Sequence, residues 1–204
     1  MSETHLYSDS LAKDIHTQIG LHRSFLPKEK VRRVQELFVP GDPEAIVSPG
    51  RFLTRQEFHP GHFTASAVVL APDRNSLLLI EHNKLGMWLQ PGGHLELSDT
   101  GLVAAARREL HEETGLEQVE VLQPLFDIDI HQIPAIGSEP THLHFDLRVL
   151  FLAKSWEVRA GDGVKDSRFF SLDLLCQNPP EIAHGLGTDQ SVCQLARRLF
   201  KPSS

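Results

Sequence analysis

The sequence predicts an α/β fold of the α+β kind, in which a mixed β-sheet lies between helices and a helical extension precedes it. From about residue 61 onward, apolar β-branched segments of strand length alternate with helical segments. Residues 1–60 instead carry helical periodicity interrupted by loops. We therefore expect a helical extension over residues 1–60, serving as a cap or a dimer interface, and one domain over residues 61–204.

The extension is expected to contain two helices. Residues 8–19 carry an apolar stripe with i, i+4, i+8 spacing that begins at Leu11. Pro27 suits the first turn of a second helix. The turn-forming residues 40–43 are expected to end that helix.

The strands of the domain are predicted from alternation and from the turn residues between them. Strand signals fall at residues 64–70, 77–80, 119–122, 125–131, 142–152 and 167–171. Residues 73–76 form a turn between the first two strands. A last helix is expected over residues 189–201, which carry an inward apolar stripe.

One further helix is predicted in the middle of the chain, over residues 101–114. Its N-cap is expected to be Ser98, Asp99 or Thr100, and Gly115 is its stop signal. An apolar stripe on this helix suits packing against the sheet. The stripe is formed by Leu102, Val103, Ala106 and Leu110.

Composition and charge restrict the possible partners. The 204-residue chain has a formal net charge of -7, which gives the surface as a whole no attraction for nucleic acid or anionic membranes. A polyanionic substrate would need a local cation, such as a bound divalent metal ion. Cys176 and Cys193 form no metal-ligand pattern and fit a reducing compartment. With no signal segment and no membrane-length apolar run, we expect a cytoplasmic protein.

The helix over residues 101–114 carries the strongest chemical signal. Glu109, Glu112 and Glu113 are spaced i, i+3, i+4, so their carboxylates share one face. Like charges repel there, close to the negative end of the helix dipole. Divalent cations remove that repulsion, and hard oxygen ligands suit Mg²⁺ or Mn²⁺. Taken alone, the same spacing also fits a solvated acidic face.

The loop before the helix favours a binding site. Gly92 and Gly93 allow the backbone to approach a ligand closely. Glu96 adds a fourth carboxylate, and Arg108 is positioned to pair with Glu96 or Asp99 and so hold loop and helix together. Gln90 and His94 lie around this loop as well, where His94 would contact phosphate or stabilise the loop.

Residues 93–99 and 108–116 together resemble the Nudix box, G-x5-E-x7-R-E-U-x-E-E-x-G-U, where U is a bulky aliphatic residue. The second half matches at every fixed position. In the first half Asp99 replaces the family's glutamate, and eight residues instead of seven separate it from Arg108. The resemblance implies a mixed sheet between helices and a loop-helix-loop active site.

The resemblance also implies the reaction, which is metal-dependent hydrolysis of a phosphoanhydride bond. Glu109, Glu112 and Glu113 would bind one to three Mg²⁺ or Mn²⁺ ions, and Glu112 and Arg108 are the expected catalytic residues. A mobile glutamate elsewhere is an alternative base. The expected substrate is a nucleoside diphosphate linked to another moiety: a nucleotide sugar, dinucleotide, nucleotide alcohol or nucleoside triphosphate.

Two alternatives belong to other functional classes. A non-catalytic ligand sensor on the same fold would commonly lack some helix glutamates, and all three are present here. An isomerase of a diphosphate-bearing lipid precursor would need a reactive cysteine near the cleft, whereas Cys176 and Cys193 come late in the chain.

A second polar pattern lies on two of the predicted strands. His142, His144 and Asp146 alternate with apolar residues, and residues 127–131 alternate in the same way. If the strands pair, three His and three Asp share one face. That face could bind substrate through protonated imidazoles, hold a separate transition metal, or simply meet solvent. The candidate substrate-binding residues of this face are His142, His144 and Asp146.

Overall fold

A computed structural model of the chain describes residues 3–37, 53, 55–177 and 187–200, with residues 3–9 described by their backbone only. The helices are α1 (Glu3–His22), α2 (Lys28–Glu36), α3 (Leu102–Thr114), α4 (Leu172–Gln177) and α5 (Gln190–Leu199). The strands are β1 (Gly61–Leu70), β2 (Ser76–His82), β3 (Met87–Leu89), β4 (Gly92–His94), β5 (Val119–Ile133), β6 (His142–Ala153) and β7 (Val164–Ser171). Among the described helices, none has the length and apolar character needed to cross a bilayer.

All seven strands belong to one sheet with the order β3-β2-β1-β6-β5, while β4 pairs with β1 and β7 pairs with β2. Strand β2 is antiparallel to both β3 and β7, and Ile80 faces Leu89 on one side and Ser167 on the other. The turn expected at residues 73–76 is present, and Arg74 adopts a positive φ of 60° there. The predicted class, a mixed β-sheet with helices and an N-terminal helical segment, is confirmed.

Some elements differ from the sequence-based expectation. Strand β5 is continuous where two strands were predicted with a break at Gln123–Pro124. In the described strand order β5 lies at the end, where a proline's missing N–H is tolerated. The short helix α4 was not predicted, because six residues are too few to show helical periodicity. The stop proposed at residues 40–43 lies outside the described residues.

The chain forms two compact units. One consists of residues 1–66, 93–107 and 123–149, and the other of residues 67–92, 108–122 and 150–204. In the first unit the expected stripe of α1 is buried. In the second, β2 is buried through its centre, and α4 packs on α5.

Helix α1 supplies the cap of α3. The Leu102 backbone N–H donates to Asp14 Oδ2 over 2.8 Å, so a carboxylate from a distant helix accepts from the first turn. A Cβ at Gly101 would lie 2.8 Å from the same oxygen, so a larger residue there would require the Asp14 side chain to shift. The prediction that a residue at 98–100 caps α3 was wrong. Asp99 Oδ2 instead accepts a hydrogen bond of 2.8 Å from the Glu96 backbone N–H and so closes the preceding loop.

We expect Asp14→Ala to lower the free energy of unfolding by about 1 kcal/mol, the usual effect of losing a helix cap. Urea denaturation measures this directly. Lys13→Ala is the control, because Lys13 is exposed on the same helix and should change stability by no more than about 0.5 kcal/mol. Equal losses in the two variants would show that Asp14 does not cap α3.

Candidate active site

The acidic face of α3 is formed by Glu109, Glu112 and Glu113. The helix is anchored by Ala106 and Leu110, which are both fully buried. The side chain of Glu109 is 13% exposed and that of Glu112 is 45% exposed. The carboxylates of this face therefore differ in exposure: that of Glu109 is nearly buried, and that of Glu112 is open to solvent.

Arg108 partly neutralises this face. Its Nη1 donates to Glu109 Oε1 at 2.8 Å and to Glu112 Oε2 at 3.2 Å. The guanidinium thus bridges two of the three carboxylates and fixes their orientation. Its expected pairing with Glu96 or Asp99 stays a prediction.

Glu113 is held by the glycine loop. The Gly92 backbone N–H donates to Glu113 Oε2 over 2.9 Å. Burial, together with the charges of Glu109 and Glu112, raises the pKa of Glu113 to about 8, although the Gly92 hydrogen bond acts in the opposite direction. Glu113 therefore holds a proton at neutral pH when no cation is present. A divalent ion can replace that proton, so this set of oxygen donors fits Mg²⁺ or Mn²⁺.

A loop after β6 secures the C-terminal end of α3, a contact that the sequence did not predict. The Gly161 N–H donates to the Glu113 carbonyl (2.9 Å), the Asp162 N–H to the Glu112 carbonyl (3.1 Å) and the Arg159 N–H to Thr114 (3.0 Å). A Cβ at Gly161 would lie 2.0 Å from the Glu112 carbonyl oxygen. The loop therefore satisfies helix-end carbonyls directly beneath the acidic face.

The loop that precedes α3 contains the remaining candidates. Gly92, Gly93 and His94 form the short strand β4, where the sequence suggested only a bend. Gln90 is half-buried and Glu96 is exposed. Glu96 Oε2 accepts a hydrogen bond of 3.3 Å from the hydroxyl of the neighbouring Ser98.

The polar face predicted on β5 and β6 exists, and its centre around Arg148 is buried. Arg148 is 2% exposed and contacts Asp127, Asp129 and Asp146 at N–O distances of 3.4, 3.4 and 2.8 Å. Lys30 of α2 also reaches Asp129, with its Nζ 2.9 Å from Oδ1. The interpretation of this face as a simple solvent surface was wrong.

Asp146 is one of the buried members of this face. Its Oδ1 accepts from the hydroxyls of Thr64 (3.1 Å) and Ser66 (2.7 Å), while Oδ2 accepts from Arg148. These contacts favour a structural role for Asp146 over the substrate-binding role that the alternation suggested.

His142 and His144 lie in a cluster with His62 of β1 and His94 of β4. Ring centroids are 5.0 Å apart for His62–His142, 4.7 Å for His62–His144 and 5.0 Å for His62–His94. The sequence did not predict the participation of His62, which depends on the strand order. The only local indication of its role is its position at the start of the alternation of polar and apolar residues in β1.

The surroundings of His62, His94 and His144 disfavour the protonated imidazole. Burial lowers the pKa of His144 well below its usual value, and the neighbouring imidazoles add to the effect. Burial likewise lowers the pKa of His94 to about 4. The expectation that protonated imidazoles would face a substrate anion is therefore not supported by the environment of His144, because desolvation disfavours the charged ring.

Comparisons with known proteins identify the family to which this chain is similar. The NUDIX domain family model matches residues 60–187. A probable DHNTP pyrophosphohydrolase of Lactococcus lactis subsp. cremoris is 34% identical over 113 residues, which cover 54% of this chain and 63% of that protein. Phosphatase NudJ of Escherichia coli K12 is 44% identical over 81 residues, which cover 39% of this chain and 48% of that protein.

The matches cover only part of each curated relative, between about half and just under two thirds of its length. A solved Nudix-family hydrolase of Clostridium perfringens covers 68% of this chain and 95% of its own, at 22% identity and a TM-score of 0.49. The family model spans more than half of the chain and includes the whole of α3 and its preceding loop. The chain therefore belongs to the Nudix family.

Proposed function

We propose that this chain is a divalent-cation-dependent pyrophosphohydrolase and that the acidic face of α3 is its active site. The observation that carries the proposal is the placement of Glu113. Its carboxylate is largely buried beside two others and is oriented by the Gly92 N–H. A helix selected for stability alone would not concentrate charge in this way.

Glu109, Glu112 and Glu113 would hold one to three Mg²⁺ or Mn²⁺ ions. When bound, such ions neutralise phosphate charge and lower the pKa of coordinated water. Arg108 keeps the carboxylates of Glu109 and Glu112 in place. The Gly92 N–H does the same for Glu113.

Glu112 is the proposed general base, because it is the more exposed of the two carboxylates that Arg108 contacts. Its Oε2 is bonded to Arg108, so Oε1 is the atom that accepts a proton from water. The water oxygen bonds to one phosphorus while the bridging P–O bond breaks. The products are two phosphate-bearing fragments.

The proposed substrate is a nucleoside diphosphate linked to another moiety, in the form of a nucleotide sugar, dinucleotide, nucleotide alcohol or nucleoside triphosphate. Two relatives are named for phosphate chemistry, one as a probable DHNTP pyrophosphohydrolase and one as a phosphatase. Gln90, Gly92, Gly93, His94 and Glu96 are the proposed substrate-contacting residues of the loop. A net charge of -7 makes bound cations necessary for an anionic substrate.

The remaining features of the protein are proposed on the same basis. Residues 1–60 would form an extension that caps the site or builds a homodimer, and residues 61–204 would form the catalytic domain. The small-molecule substrate would be the partner, with no nucleic acid or membrane, and the protein would act in the cytoplasm.

The structure disfavours the isomerase alternative. Cys193 is fully buried and Cys176 is half-buried. Burial raises the pKa of both thiols, which makes them poor nucleophiles at neutral pH. A ligand sensor differs from the proposed enzyme in a measurable way, because it would release no product from any substrate with Mg²⁺.

We expect Glu112→Gln and Glu113→Gln each to lower turnover by about 10²-fold or more, since the amide keeps the shape and loses the charge that binds the cation. The assay measures product release from a panel of the four substrate classes with Mg²⁺ or Mn²⁺, and with chelator as the blank. Glu117→Gln, which removes an exposed carboxylate just beyond α3, is the control and should keep the wild-type rate. Wild-type turnover in both test variants would exclude α3 as the active site.

We expect Arg108→Ala to weaken cation affinity and turnover together, each by about 10- to 100-fold, although it removes no ligand. Calorimetric titration with Mn²⁺ and steady-state kinetics measure the two effects. Arg108→Lys should recover part of the lost cation affinity and turnover, because it restores the positive charge without the planar guanidinium group. Unchanged affinity and rate in Arg108→Ala would show that the ion pairs of Arg108 have no role in the site.

A further inference from the structure

The histidine cluster contains a preformed set of nitrogen donors. His62 of β1 and His142 and His144 of β6 have ligand nitrogens that all lie within 4.8 Å of one another. His62 is 1% exposed and His142 is 4% exposed, so two of the three rings are almost completely removed from water. None of these residues belongs to the acidic face of α3.

Two of the rings are fixed in one tautomer by the backbone. His62 Nδ1 lies 2.9 Å from the Glu57 carbonyl oxygen, and His142 Nδ1 lies 2.7 Å from the Pro140 carbonyl oxygen. A carbonyl oxygen only accepts, so both Nδ1 atoms must donate. In the neutral form of each ring, Nε2 then carries the lone pair, and a carbonyl on the opposite nitrogen is the usual support of a metal-binding histidine.

The lone pair of His62 is unused within the described protein. His62 Nε2 is buried and has no hydrogen-bond partner among the residues that the structure describes. An unsatisfied buried acceptor typically costs about 1–3 kcal/mol and therefore requires an explanation, of which an unobserved ion is one.

The spacing of the rings fits a tetrahedral ion. Zn–N bonds of about 2.0–2.1 Å at tetrahedral angles place imidazole centroids roughly 5 Å apart. The centroid distances here are 5.0 Å for His62–His142, 4.7 Å for His62–His144 and 5.2 Å for His142–His144. Tetrahedral ligation would place the nitrogens about 3.3 Å from one another, so the three rings must move closer together when the ion binds.

We propose that His62, His142 and His144 bind a borderline transition-metal ion, with Zn²⁺ as the preferred occupant, and that this ion joins β1 to β6. Imidazole donors select Zn²⁺ over Mg²⁺, so the cluster and the α3 carboxylates take chemically different ions. His94 borders the cluster, with its ring centroid 5.0 Å from that of His62 and 5.4 Å from that of His144.

The electrostatic surroundings suit a cation bound by neutral ligands. Burial lowers the pKa of His62 and His144, which favours the neutral rings that a metal ion requires. The ring of His144 also lies 5.6 Å from that of His131, which is hydrogen-bonded to Asp129. An ion held by these rings would therefore lie near the carboxylate-rich face of β5 and β6.

The test uses the full chain carrying Glu112→Gln and Glu113→Gln, so that the α3 carboxylates do not compete for the ion. After chelator treatment and dialysis, we expect this protein to bind one Zn²⁺ per chain in excess Mg²⁺, and to melt at a higher temperature when loaded. Adding His144→Ala should weaken Zn²⁺ affinity at least tenfold and remove the thermal shift. His111→Ala is the matched control, because His111 is exposed, and it should change neither result.

A second measurement needs no histidine variant, so it tests the site even if His144→Ala fails to fold. X-ray absorption at the zinc edge of the loaded protein should show scattering from three imidazoles. Failure to bind Zn²⁺ stoichiometrically, an unchanged affinity in a folded His144→Ala protein, or fewer than three imidazoles at the ion would overturn the proposal. Because the readouts are binding, melting and ligation, the result does not depend on whether the proposed hydrolase activity is found.

Discussion

Repulsion among the carboxylates of α3 is the constraint that the structure around this helix must satisfy. Glu113 lies largely buried beside Glu109 and Glu112, and each of the three has a specific protein contact. Arg108 bridges two of them, and the Gly92 N–H holds the third. The helix ends are also fixed, with the first turn bonded to a side chain of α1 and the last carbonyls to the loop at residues 159–162. This arrangement keeps negative charge concentrated where a cation can bind.

A second group of buried polar side chains lies on β5 and β6. Three carboxylates surround the buried Arg148, with Lys30 supplying another positive charge and the pKa of His131 raised chiefly by its hydrogen bond to Asp129. Buried charge of this kind is tolerated when every group is paired. The neighbouring histidines differ, because His62 retains an unused acceptor among the described residues. That difference distinguishes a paired structural network from a site prepared for a ligand.

Local spacing explains which features were predictable. The positions of Glu109, Glu112 and Glu113 on one helical face follow from a 3.6-residue period, and the shared face of β5 and β6 follows from a period of two. Features that depend on distant contacts were missed. Asp14 caps a helix almost ninety residues away. His62 joins His142 and His144 only because β1 and β6 are neighbours in the sheet. No local pattern encodes such partners.

We propose that the acidic face of α3 is a cation site and that a proton on Glu113 stabilises its metal-free form. Calorimetric titration with Mg²⁺ in buffers of different ionisation enthalpy tests it most directly. With the pKa of Glu113 raised to about 8, binding at pH 7 should release close to one proton per chain, and binding well above that pKa should release almost none. Absence of Mg²⁺ binding, or binding with no proton release at pH 7, would show that Glu113 does not exchange a proton for a cation.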